Sequence, residues 1–356
     1  AMTVSTLEIA NFTNVAKTAM NFQNLTGTVG ITGLNVHNNS LLHNVFVSNN
    51  TGTANITFTS PVLTSNSGAG NPDGIQIDSY AAGTTMNVTA TNVNITASSI
   101  NTGNGVMFQA NSGSTMTGIL NGGVVTGTNG LLMQSTGNNT NFTFTVTGLT
   151  AVTTHNLGSN GITVGKGNGT NGVFNGTVTN NVITSATCGG GCAGIKVASF
   201  GVSGASTVNV SNNNISGVDA QGIWIVGGQG GSSLTATVQN NNIHNPALTA
   251  GVNTSYAIDI YPGTQSGDAV CFAVNLGDMT ATHTVPANRN TITGAWQSGG
   301  NPIEVGIFNS SVFKLLNYTG SSDANAASWV SASNGGLGTD AFHLGTNQFT
   351  AGASCP

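Results

Sequence analysis

The chain has 356 residues, of which 38% are hydrophobic and only 4% are charged, against about 25% in an average globular protein. Ten acidic and five basic residues give a net charge of -5 with no charge run, which leaves no basis for nucleic-acid binding or an anionic-membrane contact. No apolar run reaches the length of a membrane span, and no stretch of this sequence is expected to act as a signal peptide. Disorder combines low hydrophobicity with high net charge. This chain has neither, so it is expected to be ordered, with a neutral surface that makes self-association or adhesion easy.

Residues 1–25, containing "LEIANF" and "TAMNFQ", are expected to form a partial first rung and cap. The opening "AM" reads as a processed terminus or a cloning scar, so the chain is expected to be a piece of a longer protein. From residue 26 to 261 a pattern recurs. Its clearest copies are "VSNNNIS" (Val210 to Ser216) and "VQNNNIH" (Val238 to His244). Aligning on the apolar residue after each such cluster gives the anchors Val36, Leu63, Ile95, Val125, Leu149, Ile183, Ile215 and Ile243, spaced by 24 to 34 residues. Internal repetition of this length with variable loops is the mark of a solenoid.

Seven and five residues before each anchor stand mostly apolar residues, from Val29 and Ile31 through Phe142 and Phe144 to Ala236 and Val238. Between them lies a small, polar set: Asn55/Thr57, Asn87/Thr89, Thr117/Ile119, Asn141/Thr143, Asn175/Thr177, Thr207/Asn209 and Thr235/Thr237. This alternation has the period of a half-buried strand, and a one-residue slip would put Thr and Asn in the core. A second strand opens on glycine: "GIQID" at Gly74, "GVMFQ" at Gly105, "GLLMQ" at Gly130, "GITVG" at Gly161, "GIKVA" at Gly194 and "GIWIV" at Gly222, continued by "YAIDIY" with Ala257 in the glycine place. The anchor supplies a short third strand. The predicted fold is all-β: a parallel β-helix with three short strands per rung and about eight or more rungs. Parallel crossovers are almost always right-handed, which sets the expected hand.

After Tyr261 the rhythm breaks, and residues 262–356 are expected to form a loop-rich, disulfide-bonded cap. Within it "SDANAASWV" (Ser322 to Val330) predicts one short helix capped by Ser322 or Asp323. "CGGGC" has no histidine partner at zinc-site spacing. The four cysteines are therefore expected to pair as Cys188 with Cys192 and Cys271 with Cys355, in an oxidising, extracellular setting.

The rung pattern over residues 26–261 resembles that of the right-handed parallel β-helix superfamily of secreted proteins, which includes surface adhesins and polysaccharide-cleaving enzymes. "CFAVNL", "NTITGA" and "GASCP" look like the closing block of large bacterial β-helix surface proteins. The resemblance implies a secreted or cell-surface location in a bacterium.

Four residue sets are candidates for a role. Asn92, Asn180, Asn212 and Asn240 lie three residues before their anchors. Asn tolerates the left-handed backbone of a sharp turn, so these predict a structural turn ladder rather than a ligand set. The outward Thr/Asn array is a second candidate, either as bland surface or as an ordered, ice-binding type of face. The outward column of the glycine-led strand is the third: Gln76, Met107, Leu132, Thr163, Lys196, Trp224 and Asp259, with Tyr261 two residues beyond. Lys196, Trp224, Asp259 and Tyr261 together are expected to suit a glycan, or Lys196 lies over Trp224 as a cation–π contact with no ligand. The fourth reading is enzymatic. The single arginine is Arg289, "GHG" and "GGxGxD" are absent, and the acids Asp73, Asp78 and Asp219 are dispersed.

These observations predict a non-enzymatic extracellular β-solenoid with no cofactor or metal. It would be an adhesin-type stalk or binding domain, or a subunit of a surface filament, with a glycan or other surface ligand as partner. The alternatives are a polysaccharide lyase or hydrolase on the same scaffold, and an ice-binding protein using the Thr/Asn face.

Overall fold

The computed structural model describes residues 1–11, 18–39, 43–65, 73–96, 103–154, 160–184, 193–247, 255–265, 267–296 and 300–355. The expected Cys188–Cys192 bridge lies outside them. Every strand pairing among the described residues is parallel and joins one turn to the next, so the chain is a parallel β-solenoid. The glycine-led strands form one sheet of eleven, from Thr18–Phe22 to Thr339–Leu344. At the usual strand spacing that stack is about 48 Å long. A seventeen-stranded sheet carries the other two faces, the Thr/Asn face and the short anchor face.

A left-handed residue turns the chain between these two faces. Gly33, Ser60, Asn92, Gly122, Gly148, Asn180, Asn212 and Asn240 hold this corner, with φ between 51° and 76°. The four predicted turn asparagines therefore occupy the conformation expected of them. The next residue points into the molecule: Leu34, Pro61, Val93, Gly123 and Leu149, then Asn181, Asn213 and Asn241. The continuous asparagine ladder is built from this second position, not the first. Asn181 donates through its backbone N–H and Nδ2 to Asn213 Oδ1, at 3.1 and 3.0 Å. Asn213 bonds to Asn241 in the same way, Asn241 to Asn290, and Asn290 to Asn334. Each Nδ2 also donates to a strand carbonyl, such as that of Val178 for Asn213. The predicted positions contribute one outer rung to this arrangement, from Asn240 to Asn212.

Apolar residues from all three faces fill one continuous core. The glycine that opens each second strand sits where any Cβ would strike the anchor's side chain and the carbonyl of the following glycine. Gly74 meets Ile95 and Gly105 in this way, and Gly222 meets Ile243 and Ala257.

The register matches the sequence reading except in the fifth turn. The anchor there is Val152, which pairs with Val125 and Ile183, whereas Leu149 pairs with Gly123. A register shift after Gly123 absorbs an extra residue in that turn. Phe144, not Phe142, consequently stands beside Gly118 and Gly176. Packing explains this, because the Phe144 ring fills the space left by Gly176, whose Cβ would collide with it.

The strand ladders also run past the boundaries expected at residues 26 and 261. Met2–Ala10 pairs with Gly27–Asn39, and Thr18–Phe22 with His43–Asn49. Beyond residue 261, Ala269–Leu276, Ile303–Phe308, Val312–Leu315, Thr339–Leu344 and Thr350–Ala351 extend the stack. The predicted helix is present as Asp323–Ser333, with the Ser322 side chain accepting from Asn325 N–H. It is inserted at the same corner, and the residue that ends it, Asn334, closes the asparagine ladder. Cys271 and Cys355 form the expected disulfide and tie the C-terminal segment to the stack.

Replacing Asn213 by Ala is expected to lower stability by about 2–3 kcal/mol, because the amides and carbonyls it serves are buried. Asn212→Gly should change stability by a few tenths of a kcal/mol at most, since glycine adopts the same left-handed backbone. Urea unfolding of the two variants checks this, and equal losses would contradict the assignment of the ladder to the second position.

Candidate functional site

The outward columns of the two main faces differ in chemistry. On the Thr/Asn face the corrected register sets Asn55, Asn87, Thr117, Thr143, Asn175, Thr207 and Thr235 in one column. Thr57, Thr89, Ile119, Thr145, Thr177, Asn209 and Thr237 form the next. Asn141 belongs instead beside Thr115 and Val173, and Thr145, missed in the sequence, takes the place given to Thr143. The extra residue of the fifth turn caused both errors. Side chains here partner one another up the stack: Asn87 Nδ2 donates to Asn55 Oδ1 at 2.9 Å, and Asn175 Oδ1 accepts from Thr207 N–H at 2.8 Å. Ile119 interrupts the hydroxyl rows.

On the glycine-led face the predicted column is in register throughout. It runs Gln76, Met107, Leu132, Thr163, Lys196, Trp224 and Asp259. It then continues to Glu304 and Asp340. Upward it begins with Asn21 and Phe46, no residue in it before Lys196 is charged, and the charged residues gather with Trp224 at the C-terminal end. Lys196 Nζ lies 4.0 Å from the centroid of the Trp224 ring, so the cation–π contact foreseen from the sequence is made. Tyr261 stands one column across from Asp259, with its ring edge against Phe308 at 5.4 Å between centroids. The Trp224 indole N–H lies near the Tyr261 hydroxyl but closes no hydrogen bond with it.

Asp259 faces outward in register, yet only 2% of it is exposed. Gln221 Nε2 donates to its Oδ2 at 3.2 Å, while Oδ1 has no donor. Glu304 follows Asp259 one rung on in the same column, with Tyr256 near both. Carboxyls on adjacent rungs disfavour each other's ionisation. Burial and the neighbouring Glu304 charge hold the Asp259 carboxyl well above the usual carboxylate range. Glu304 is raised in turn, chiefly by burial. Burial also pushes the Tyr261 phenol up to about 12 and Lys196 below the usual lysine range. Glu304, Asp340 and Tyr256 escaped the sequence reading. The first two lie beyond the point where the spacing breaks, and Tyr256 opens its strand in a place held elsewhere by Asn or Gln.

A second polar group lies near the other end of the same face. His43 Nδ1 is 3.3 Å from Asp73 Oδ2, and Asp73 Oδ1 accepts from the Asn104 N–H and Nδ2. The buried Asp78 carboxyl, raised by burial, accepts from Gln76 at 2.7 Å and Tyr80 at 2.8 Å. Among the described residues no group of three or more His, Cys, Asp or Glu side chains could hold a metal ion. No helix among them is long and apolar enough to cross a membrane.

Comparison with protein-family models, curated proteins and solved structures finds no match to this chain.

The raised Asp259 pKa has a defined consequence for stability. In the folded chain Asp259 keeps its proton at pH values where the unfolded chain has released it. Its contribution to stability is therefore full below about pH 4 and falls as pH rises through the folded pKa. Asp259→Asn cannot lose a proton, so this variant is expected to show a flatter fall in stability over that range. Urea midpoints of both proteins from roughly pH 4 to pH 8 measure the difference, and parallel profiles would rule out a raised Asp259 pKa.

Proposed function

We propose that this chain is a non-enzymatic extracellular β-solenoid of adhesin type, a stalk and binding domain or a subunit of a surface filament. Its binding patch is the cluster of Lys196, Trp224, Asp259 and Tyr261, extended by Glu304. The observation that carries this reading is the concentration of charged and aromatic side chains on adjacent rungs of one sheet, in a chain with 4% charged residues. Aromatic surface beside hydrogen-bonding carboxyls and an ammonium is suited to a hydroxyl-rich ligand. The Cys271–Cys355 bridge fits a non-reducing compartment. A neutral, in-register scaffold also suits a durable spacer, since little charge repulsion opposes contact with a surface or a second copy.

Cleavage of a polysaccharide is the second reading, favoured by the column Asp259, Glu304 and Asp340. Glycoside hydrolysis needs two carboxyls that flank the scissile bond with room for it between them. Asp259 and Glu304 are register partners on adjacent rungs and Asp259 is buried, which counts against that pair. The ice-binding alternative rests on the Thr/Asn array, whose hydrogen bonds up the stack and Ile119 interruption weigh against it.

A screen of immobilised polysaccharides with the purified protein tests the proposal. Trp224→Ala is expected to lower affinity for the glycan retained by about tenfold without a loss of β-structure by circular dichroism. Unchanged retention would move the binding patch elsewhere, and release of reducing ends from any polysaccharide would overturn the non-enzymatic reading.

A further inference from the structure

The Trp224 patch contains an ammonium group that nothing around it neutralises. Among the described residues Lys196 forms no ion pair, and its recorded partner is the indole ring, 4.0 Å from Nζ to centroid. Burial alone depresses its pKa, with no counter-charge acting on it. Lys166, on the neighbouring rung, shows what a structural lysine looks like in this fold. Its ammonium donates to the carbonyls of Gly172, Ser203 and Gly204 at 3.2, 2.8 and 3.2 Å. Lys196 has none of these acceptors. An aromatic face attracts a cation and fixes its position, but it does not cancel the charge or occupy the N–H donors.

Other groups at the same place also have unused hydrogen-bonding capacity. Gln221 Oε1 and Trp224 Nε1 are buried without a hydrogen-bond partner. Orphaned buried polar atoms call for a partner, and sugar hydroxyls supply donors and acceptors alike. The charges run in one direction along the column. The cation is at Lys196, the aromatic ring at Trp224, and the acids at Asp259, Glu304 and Asp340 on the three following rungs.

We infer that the patch takes an acidic glycan, with a sugar carboxylate or sulfate on Lys196 Nζ. The hydroxyls of the adjoining sugars then lie toward Trp224, Gln221 and Glu304. This inference rests on the glycan-binding reading above and adds the charge of the ligand and its direction on the sheet. The anionic group belongs at the Lys196 end because the column's ammonium is there, while the other end offers only acids. Lys196 to Glu304 spans three strand spacings, about 14 Å, room for a short oligosaccharide laid across the strands.

Titration of the full chain with polygalacturonate and heparin, beside neutral dextran and glucomannan, tests the assignment. Acidic polymers are expected to bind more tightly than neutral ones, and added salt should weaken them, as it screens a partly exposed ion pair. Lys196→Met is expected to lower affinity for the acidic polymers by about tenfold, with Lys196→Arg recovering most of it. Where Lys196→Met lowers the melting temperature, the salt dependence of the unaltered protein and the Lys196→Arg variant decide. Equal binding of neutral polymers, with no loss in Lys196→Met, would overturn the charge assignment and leave the glycan patch standing. Binding to no polysaccharide, or binding indifferent to Trp224→Ala, would remove the glycan patch itself. Free sulfate or acetate competing as well as the polymers would reduce the site to one for small anions and overturn the glycan assignment.

Discussion

The left-handed corner between the Thr/Asn face and the anchor face is the constraint on which the rest of the structure depends. Each turn must change direction there, and the residue used is Gly, Asn or Ser except in the first turn, where Thr6 (φ 60°) stands opposite Gly33. The corner fixes which following residue enters the core, and so it fixes the register of the anchor and of every column beyond it. In the upper turns that inward residue is apolar, as with Leu34, Val93 and Leu149. From Asn181 onward it is asparagine, and a buried amide is tolerable only where all its hydrogen-bonding groups are paired. The ladder meets that condition by repetition, because each amide is served by the rungs above and below it. The change begins at Leu149, whose backbone N–H donates to Asn181 Oδ1 at 3.1 Å. A ladder of this kind also ties the end of the solenoid together, since Asn290 and Asn334 reach it across two long insertions.

Most of the fold was legible because strand alternation and stacked columns both leave a two-residue period in the sequence. That period is blind to slips of two, and the fifth turn shows the consequence. Phe142 and Phe144 face inward under either alignment, so alternation alone could not choose between them. The choice was made by volume: Phe144 fits beside glycine in the turns before and after it. The anchor spacings carried a quieter signal. Taking Leu149 as anchor gave neighbouring intervals of 24 and 34 residues, the two extremes of the series, and Val152 turns these into 27 and 31. The turn asparagines were placed correctly, and the buried ladder one residue on was missed for a related reason. In a triplet such as Asn212–Asn213–Asn214 composition cannot say which member turns the chain and which is buried.

The site was less legible than the fold because half of it lies where the repeat is hidden. Lys196, Trp224 and Asp259 sit in turns of ordinary length and fell into one column on sight. Glu304 and Asp340 follow insertions, including residues 278–289 and the helix Asp323–Ser333, that erase the spacing. Without them Asp259 looks like an isolated outward acid. With Glu304 one rung on, it becomes half of a pair of carboxyls that disfavour each other's ionisation, a property that belongs to the stacking and to no single residue.

Scarcity of charge gives the remaining charged groups their meaning. Of the four lysine and arginine residues among the described ones, three show how differently the fold treats such a group. Lys166 is enclosed by carbonyls, and the Arg289 guanidinium donates to the His283 carbonyl at 2.6 Å within the C-terminal insertion. Both are used to hold backbone in place. Lys196 is held by an aromatic ring, an arrangement that lowers the cost of partial burial while leaving the ammonium donors open. A scaffold that needed only a soluble face there could have kept the Thr, Gln and Leu of the earlier rungs. The substitution of Lys, Trp, Asp and Glu on four successive rungs adds burial and desolvation costs that the fold itself does not require. That local departure from an otherwise neutral surface is the physical ground for placing a ligand at this end of the sheet.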